Sequence, residues 1–399
     1  MSDTTVTIGS HTSLTGPIAV AASQIAPASK AYFDYVNSNG GIHGRKIIFN
    51  YRDDAYSPDN TVRVVRSLVE RDKVFAVMGG FGTVTHQAVV DYLNDKKVPD
   101  LFPISGCPCW NNPEKFPYLF GWYSDYRREG KILGSYINKN FPGKRVAYLY
   151  QDDDLGKSGV AGLDTVIPRI SVVARESYQP SFNDITQQMQ AIDRAKADVI
   201  VSFSLPSYTA LLRLAQQKSG NTAKLVVSYS GSDPTTLSSL LESAAPGDGP
   251  RGEGNPLIQG IVTDAWLVPI AETSNKWIQL VKMIRDRYLP GQPLTRYTEI
   301  GVATAYLFVQ ALQRTGRDLT RQSLVETLEK GGFSSGPGVT PLDYSRTSHA
   351  GYTGTQIGVI KGNAIVPQGT PLTTDSEDGP VQPYTAPSAP PPANGLPEN

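Results

Sequence analysis

Short apolar runs alternate with amphipathic stretches along most of the chain. Residues 5–10 alternate as a strand does, and 46–51, 74–78 and 98–104 are compact apolar runs of strand length. Between them, 25–37 sets Ala28, Ala31, Tyr32 and Tyr35 at helical spacing, and Pro58 opens a helix with Val62, Val65 and Val69 on one face. Asn39-Gly40-Gly41 stops the first of these helices with residues that accept positive φ. Apolar strands covered on both faces, separated by helices and short connections, predict an α/β fold with a doubly wound parallel sheet.

The alternation then repeats. A helix is expected over 126–138 with Ile132, Leu133, Tyr136 and Ile137 inward, and a strand over 144–150. Strands at 171–178, 199–202 and 225–228 alternate with helices near 184–195, 207–218 and 235–241, which predicts a second lobe of the same kind. The expected division is 1–122 and 260–334 for an N-terminal lobe, 123–259 and 335–367 for a C-terminal lobe, and 368–399 for a tail. Residues 260–266 should recross to the first lobe, and three such passages make a hinge. Pro, Thr, Ser and Gly dominate the tail, so it should be extended or disordered and free of helix.

The run from Val74 to Met78 ends in Gly79-Gly80-Phe81-Gly82-Thr83-Val84-Thr85, a Gly-rich corner leading into a helix that carries Ala88, Val89 and Leu93. Thr83 or Thr85 can cap that helix. A helix start at the carboxyl end of a parallel strand offers free N–H groups and partial positive charge, so a carboxylate fits there. A plain capped turn is the alternative reading of the same residues.

With 399 residues the chain has room for two domains, and 37 basic against 37 acidic residues argue against a nucleic-acid surface or a polybasic membrane patch. No apolar run approaches the roughly 20 residues that span a bilayer, and Met1-Ser2-Asp3 is too polar for a signal peptide, so an exported form is expected to have lost its signal. The two cysteines, Cys107 and Cys109, fit neither a disulfide scaffold nor a zinc site, and the four histidines lie scattered. In an oxidising compartment the two thiols would pair with each other, since no other cysteine competes. Asp152-Asp153-Asp154 reads as a solvated loop or helix cap, and no nucleophile elbow, phosphate loop or cofactor motif is present. The chain is therefore read as no enzyme, with no metal and no cofactor. Ser13 and His11 lack an orienting partner in the sequence and read as ligand contacts.

Four stretches give a more specific clue: Leu14-Thr15-Gly16-Pro17, Gly40-Gly41-Ile42-His43-Gly44-Arg45, Asp53-Asp54 with Pro58, and Lys73-Val74-Phe75-Ala76-Val77-Met78-Gly79. In order and spacing they resemble type I periplasmic binding proteins, in the branch of leucine/isoleucine/valine and amide receptors that feed ABC importers. The resemblance implies a bilobal, monomeric receptor outside the cytoplasm. It would take a small ligand with a carboxylate in an interlobe cleft, close on its hinge and meet the membrane permease subunits of an importer. A ligand-sensing extracellular domain of the same fold is the alternative. A repressor of this fold would need a helix-turn-helix ahead of Thr5, where four residues stand.

Carried over residue by residue, the resemblance places Thr83 as the hydroxyl that holds the carboxylate, beside the backbone of Phe81 and Gly82. Ser105 and Cys107 fall at the second carboxylate-binding loop, where a thiol is a weak substitute for a hydroxyl. Ala21, Leu155 and Leu205 stand where amino-acid binders of the family commonly carry tyrosines, and Asp233 where an acidic residue accepts the ligand's ammonium. Loss of three rings, each covering on the order of 150 to 250 Å², implies a larger and more apolar site. An aliphatic or aromatic acid then fits as well as a branched-chain amino acid, with Phe81, Trp110, Tyr123 and Tyr297 as the nearest candidates to line it.

Overall fold

The computed structural model describes residues 2–16, 18–179, 184–244 and 254–398; Pro17 of the first predicted turn lies outside the described residues. The chain forms two compact units. Unit 1 is 1–123, 272–352 and 387–399, and unit 2 is 124–271 and 353–386.

The first stretch of unit 1 is a repeated strand–helix unit: β1 (Thr5–Thr12), α1 (Ala19–Ala22), α2 (Ile25–Ser38), β2 (Lys46–Asp53), α3 (Pro58–Glu70), β3 (Val77–Met78), α4 (Thr83–Asp95), β4 (Asp100–Leu101) and β5 (Leu119–Phe120). The five strands make one parallel sheet in the order β2-β1-β3-β4-β5. Strands β3 and β4 are shorter than their apolar runs because flanking residues such as Phe75 and Gly79 bond singly to Thr7 and Leu101 rather than in a ladder. Helix α3 starts as its sequence predicts, with Ser57 accepting from the Asn60 N–H and Pro58 in the first turn. Between α3, α4 and the sheet, Val65, Leu68, Val74, Val77, Val89, Leu93 and Val98 form a closed apolar cluster.

Unit 2 begins with α5 (Tyr126–Asn140), β6 (Val146–Gln151), α6 (Asp154–Val166), β7 (Val172–Tyr178), α7 (Thr186–Ala195), β8 (Val199–Phe203), α8 (Pro206–Ser219), β9 (Lys224–Val227), α9 (Pro234–Ala244) and β10 (Val262–Ala265). Strands β7, β6, β8, β9 and β10 run parallel. Residues 262–265 are thus a strand of unit 2, bonded to β9, where the sequence suggested a recrossing from residue 260.

Unit 1 resumes with α10 (Lys276–Tyr288), α11 (Arg296–Thr315), α12 (Arg321–Glu329) and the short hairpin β11 (Leu342–Tyr344) with β12 (His349–Tyr352). Helix α11 covers the other face of the unit 1 sheet, packing Phe308 against Phe33 of α2, which in turn meets Phe49 of β2. Its start is a full capping box between Thr295 and Thr298. The hairpin stays with unit 1 because Tyr344 stacks on Phe102 and Gly121 donates to the His349 carbonyl. The return to unit 2 therefore falls after Tyr352, later than the expected 335.

The last stretches are β13 (Gly354–Lys361), β14 (Ala364–Pro367), β15 (Leu372–Thr373) and β16 (Gln382–Pro383). Strand β13 runs antiparallel to β10 and pairs with β14 and β15, and β15 pairs with β16. Of the two states expected for the tail, the extended one is present. It carries these edge strands and then rejoins unit 1.

Candidate functional site

In unit 1 the strand ends of β1, β3 and β4 lead into loops that meet around the start of α4. Phe81 donates its N–H to the His11 carbonyl, and Gly82 donates to Ile104, so the corner 79–82 is tied to both neighbouring loops. Gly80 and Gly82 are needed here for different reasons. A Cβ on Gly80 would lie 2.4 Å from both His11 Nε2 and His86 Nδ1. Gly82 takes φ 95°, and its Cβ would meet Thr85 Oγ1 at 2.5 Å.

The expected threonine cap is corrected by this geometry. Gly82 is the N-cap residue, and no side chain caps the helix. Thr83 is the first helical residue, and its hydroxyl lies 2.7 Å from that of Ser105, while Thr85 turns back to donate to the Phe81 carbonyl. Both hydroxyls of the Thr83–Ser105 pair are buried, and the Cys107 N–H donates to Ser105 Oγ at 3.3 Å. The structure thus brings Phe81, Gly82, Thr83, Ser105 and Cys107 together. Either hydroxyl can turn its proton outward while accepting from the other, which suits an anion at a helix start.

Cys107 and Cys109 form a disulfide, so Cys107 has no S–H to offer and contributes through its main chain. Trp110, a candidate wall, donates its indole N–H to the Ser105 carbonyl and packs with Val90, Cys107 and Leu119. It props the loop as core. Ala21 is buried in the short α1, and Tyr297 is buried in the first turn of α11. Tyr123 sits half-buried at the end of the first stretch of unit 1, edge-on to Trp122.

His11 and Ser13, read as ligand contacts without a partner, are instead fully buried and bonded to Asp54 at 2.8 Å each. His11 also meets His86. Burial alone would raise the Asp54 carboxyl pKa, but the hydrogen bond from His11, with those from the Tyr56 N–H and the Ser13 hydroxyl, outweighs it and holds the group below the ordinary range. The signal for this cluster was present: β1 and β2 are adjacent and parallel with Thr12 opposite Asp53, so residues 13 and 54 emerge side by side and residue 11 shares their face. Asp53 itself bonds Leu14, Thr15 and Ala55, building the loop of the first motif.

In unit 2 the remaining predicted residues lie at helix starts. Leu155 donates its N–H to Asp153, the N-cap of α6, and Leu205 is the N-cap residue of α8. Asp233, expected to accept an ammonium, accepts the Thr236 N–H at 2.8 Å at the start of α9, so one oxygen is engaged in capping. Sequence reasoning missed two features here. Tyr208, three residues past Leu205, stacks on Tyr178 with centroids 3.9 Å apart, supplying buried rings close to a position that had seemed to lack one. The Tyr229 N–H is shared by two buried carboxylates, Glu129 at 2.6 Å and Asp264 at 3.1 Å, which lie far apart in sequence. No group of three or more potential metal ligands occurs among the described residues.

Comparisons with known proteins agree with this architecture. The chain is 25% identical over 197 residues to Leu/Ile/Val-binding protein homolog 3 of Brucella melitensis, a match covering 49% of this chain and 53% of that protein. The chain spans about half the length of the curated relatives it matches. A branched chain amino acid ABC transporter protein from Thermus thermophilus, with bound valine, superposes with a TM-score of 0.80 at 20% identity, over 94% of this chain and 98% of that one. A solute binding protein of an ABC transporter from Rhodopseudomonas palustris, in complex with 3,4-dihydroxybenzoic acid, gives 0.76 at 21% identity over 92% and 97%. The family model described as periplasmic binding protein matches residues 5–364, so the chain belongs to the periplasmic binding protein family, with the type I fold of two α/β lobes.

Proposed function

We propose that this chain is an extracytoplasmic receptor that captures a small carboxylate-bearing solute and delivers it to the permease subunits of an ABC importer. The carboxylate is held at the start of α4 by the hydroxyls of Thr83 and Ser105 and by main-chain N–H groups of the corner. The observation that carries this reading is the buried Thr83–Ser105 hydroxyl pair, 2.7 Å apart, at the start of a helix that no side chain caps. A helix start that leaves its donors to a ligand is a ready anion site.

The solute is either a branched-chain amino acid or a larger aliphatic or aromatic acid. Valine and 3,4-dihydroxybenzoic acid, bound by two structural relatives, represent both ends of that range and share only the carboxylate. Native mass spectrometry of the purified protein, with denatured extracts searched for a co-purified acid, identifies it. Thr83→Val then keeps the shape and removes one donor. Because hydrogen bonds to charged groups contribute about 1.5 to 3 kcal/mol, affinity falls roughly ten- to a hundredfold. Unchanged affinity by calorimetry would make the carboxylate anchor wrong.

A further inference from the structure

Beneath the corner that starts α4, four side chains form one unbroken chain of hydrogen bonds. Asp54 Oδ2 lies 2.8 Å from His11 Nδ1, His11 Nε2 lies 2.9 Å from His86 Nδ1, and His86 Nε2 lies 3.0 Å from Asp100 Oδ2. His11, His86 and Asp54 expose no surface and Asp100 almost none. The charged or titratable groups felt by His11 are His86, Asp54 and Asp100, and the edge of Trp110 closes another side of His86 with centroids 5.2 Å apart.

Each of the three links requires one proton, and two neutral imidazoles supply two. Asp54 has none to give: it already accepts from the Tyr56 N–H and from the hydroxyls of Ser13 and Thr61, so it is a carboxylate and His11 must carry its proton on Nδ1. If His86 then carries its single proton on Nε2, toward Asp100, two nitrogen lone pairs face each other at 2.9 Å. If it carries it on Nδ1, a lone pair faces the Asp100 oxygen instead. Among the described residues Asp100 has no other side-chain partner, for its Oδ1 meets no donor. A buried carboxylate without a cation is costly.

We propose that His86 is an imidazolium held between His11 and Asp100, and that its charge, within the first turns of α4 and behind Gly80, reinforces anion binding at Thr83 and Ser105. The second half rests on the carboxylate reading above. Burial pushes the His11 imidazole toward its neutral form against the Asp54 hydrogen bond, so the third proton lies between His86 and Asp100, and on His86 it gives the buried Asp100 carboxylate the cation it needs. Gly80 transmits the state of the pair, since its backbone lies on the His11–His86 link so closely that a Cβ would touch both nitrogens. His86 is thereby a positioning residue for the corner. Loss of its Nδ1 proton at high pH, with the Nε2 proton kept toward the Asp100 carboxylate, opposes two lone pairs directly under Gly80.

The test uses the full chain without ligand, labelled with nitrogen-15, and long-range proton–nitrogen spectra from pH 5.5 to 10. Both ring nitrogens of His86 carry protons at pH 6.5; as the pH rises one proton is lost, and the amide signals of Gly80, Phe81 and Gly82 move with the same midpoint. His86→Gln, which keeps a donor and does not titrate, removes that midpoint from the corner. Asp100→Asn, a second variant should the first fail to fold, moves it to lower pH, because an adjacent opposite charge is removed. A bare ring nitrogen on His86 at pH 6.5 overturns the imidazolium. Corner amides that stay fixed while His86 titrates, or that show no midpoint anywhere in the range, overturn its link to the site. Neither result depends on whether Thr83→Val changes affinity, so failure of the two readings is separable.

Discussion

Gly80 sets the tolerance of the whole corner. Its missing side chain leaves room for His11 and His86, whose rings are held from the far side by Asp54 and Asp100 and have nowhere to retreat. Gly80→Ala should therefore behave as overpacking and cost about 1 to 3 kcal/mol. Calorimetry should show a lower melting temperature, and an unchanged one would mean the rings yield freely. A second buried histidine makes a pH prediction. His349 donates from Nδ1 to the Leu119 carbonyl and stacks on Phe120, and burial pushes its pKa down to about 4 despite that bond. Its folded value lies below the unfolded value of about 6.5, so the unfolded chain binds the proton first as pH falls. Stability from this group is fully present above pH 6.5 and is lost on the way down to pH 4. At pH 5 the loss is about 2 kcal/mol, and His349→Gln should flatten that part of a urea-denaturation profile. Of the residues that matter here, Thr83 could be placed near a helix start from the Gly-rich corner after an apolar run, and Ser105 came from the family resemblance alone. The His11–His86 link was not, since it depends on how far α4 turns before residue 86 faces the sheet.

Among elements, those specified by local pattern were the most legible. The helices at 25–38 and 58–70 and the strands of both parallel sheets follow from periodicity, Pro at a helix start and Gly at a helix end. The antiparallel edge of unit 2 was not read, although Gly362-Asn363 between β13 and β14 is a two-residue hairpin signal. Nor did composition reveal what the tail does after residue 386. A Pro-rich extended segment leaves its carbonyls unpaired, and here the rest of unit 1 supplies donors: Trp277 Nε1 to Ala389 and Tyr32 Oη to Gly395 at 2.8 Å each, and Tyr35 Oη to Asn394, while the segment's own Ser388 hydroxyl donates to the Gly336 carbonyl. Tyr32 and Trp277 are buried, so the segment acts as a strap over α2 and α10. Ending the chain at Ala386 should uncover these rings and leave two buried donors without acceptors, each worth about 1 to 3 kcal/mol. Hydrogen exchange should then quicken in α2 and α10, and protection equal to that of the full chain would show that the strap holds nothing.

At the scale of the molecule, each unit is assembled from stretches distant in sequence, and the chain changes unit after Tyr123, Ala271, Tyr352 and Ala386. The sequence suggested three of these passages, and the fourth arises because the strap returns to unit 1. Each unit has its own sheet, and the passages between them are few. We expect ligand to draw them together over the carboxylate, in the manner of bilobal receptors. Ligand can shift such an equilibrium only as far as it binds one state better than the other. The anchor and the motion are therefore linked. Small-angle scattering should give a smaller radius of gyration at saturating concentrations of the acid identified by mass spectrometry. Thr83→Val should need roughly ten to a hundred times more of that acid for the same contraction, the factor by which loss of its hydrogen bond lowers affinity. Should the scattering profile stay fixed at concentrations where calorimetry records full binding, closure is wrong even if the anchor is right.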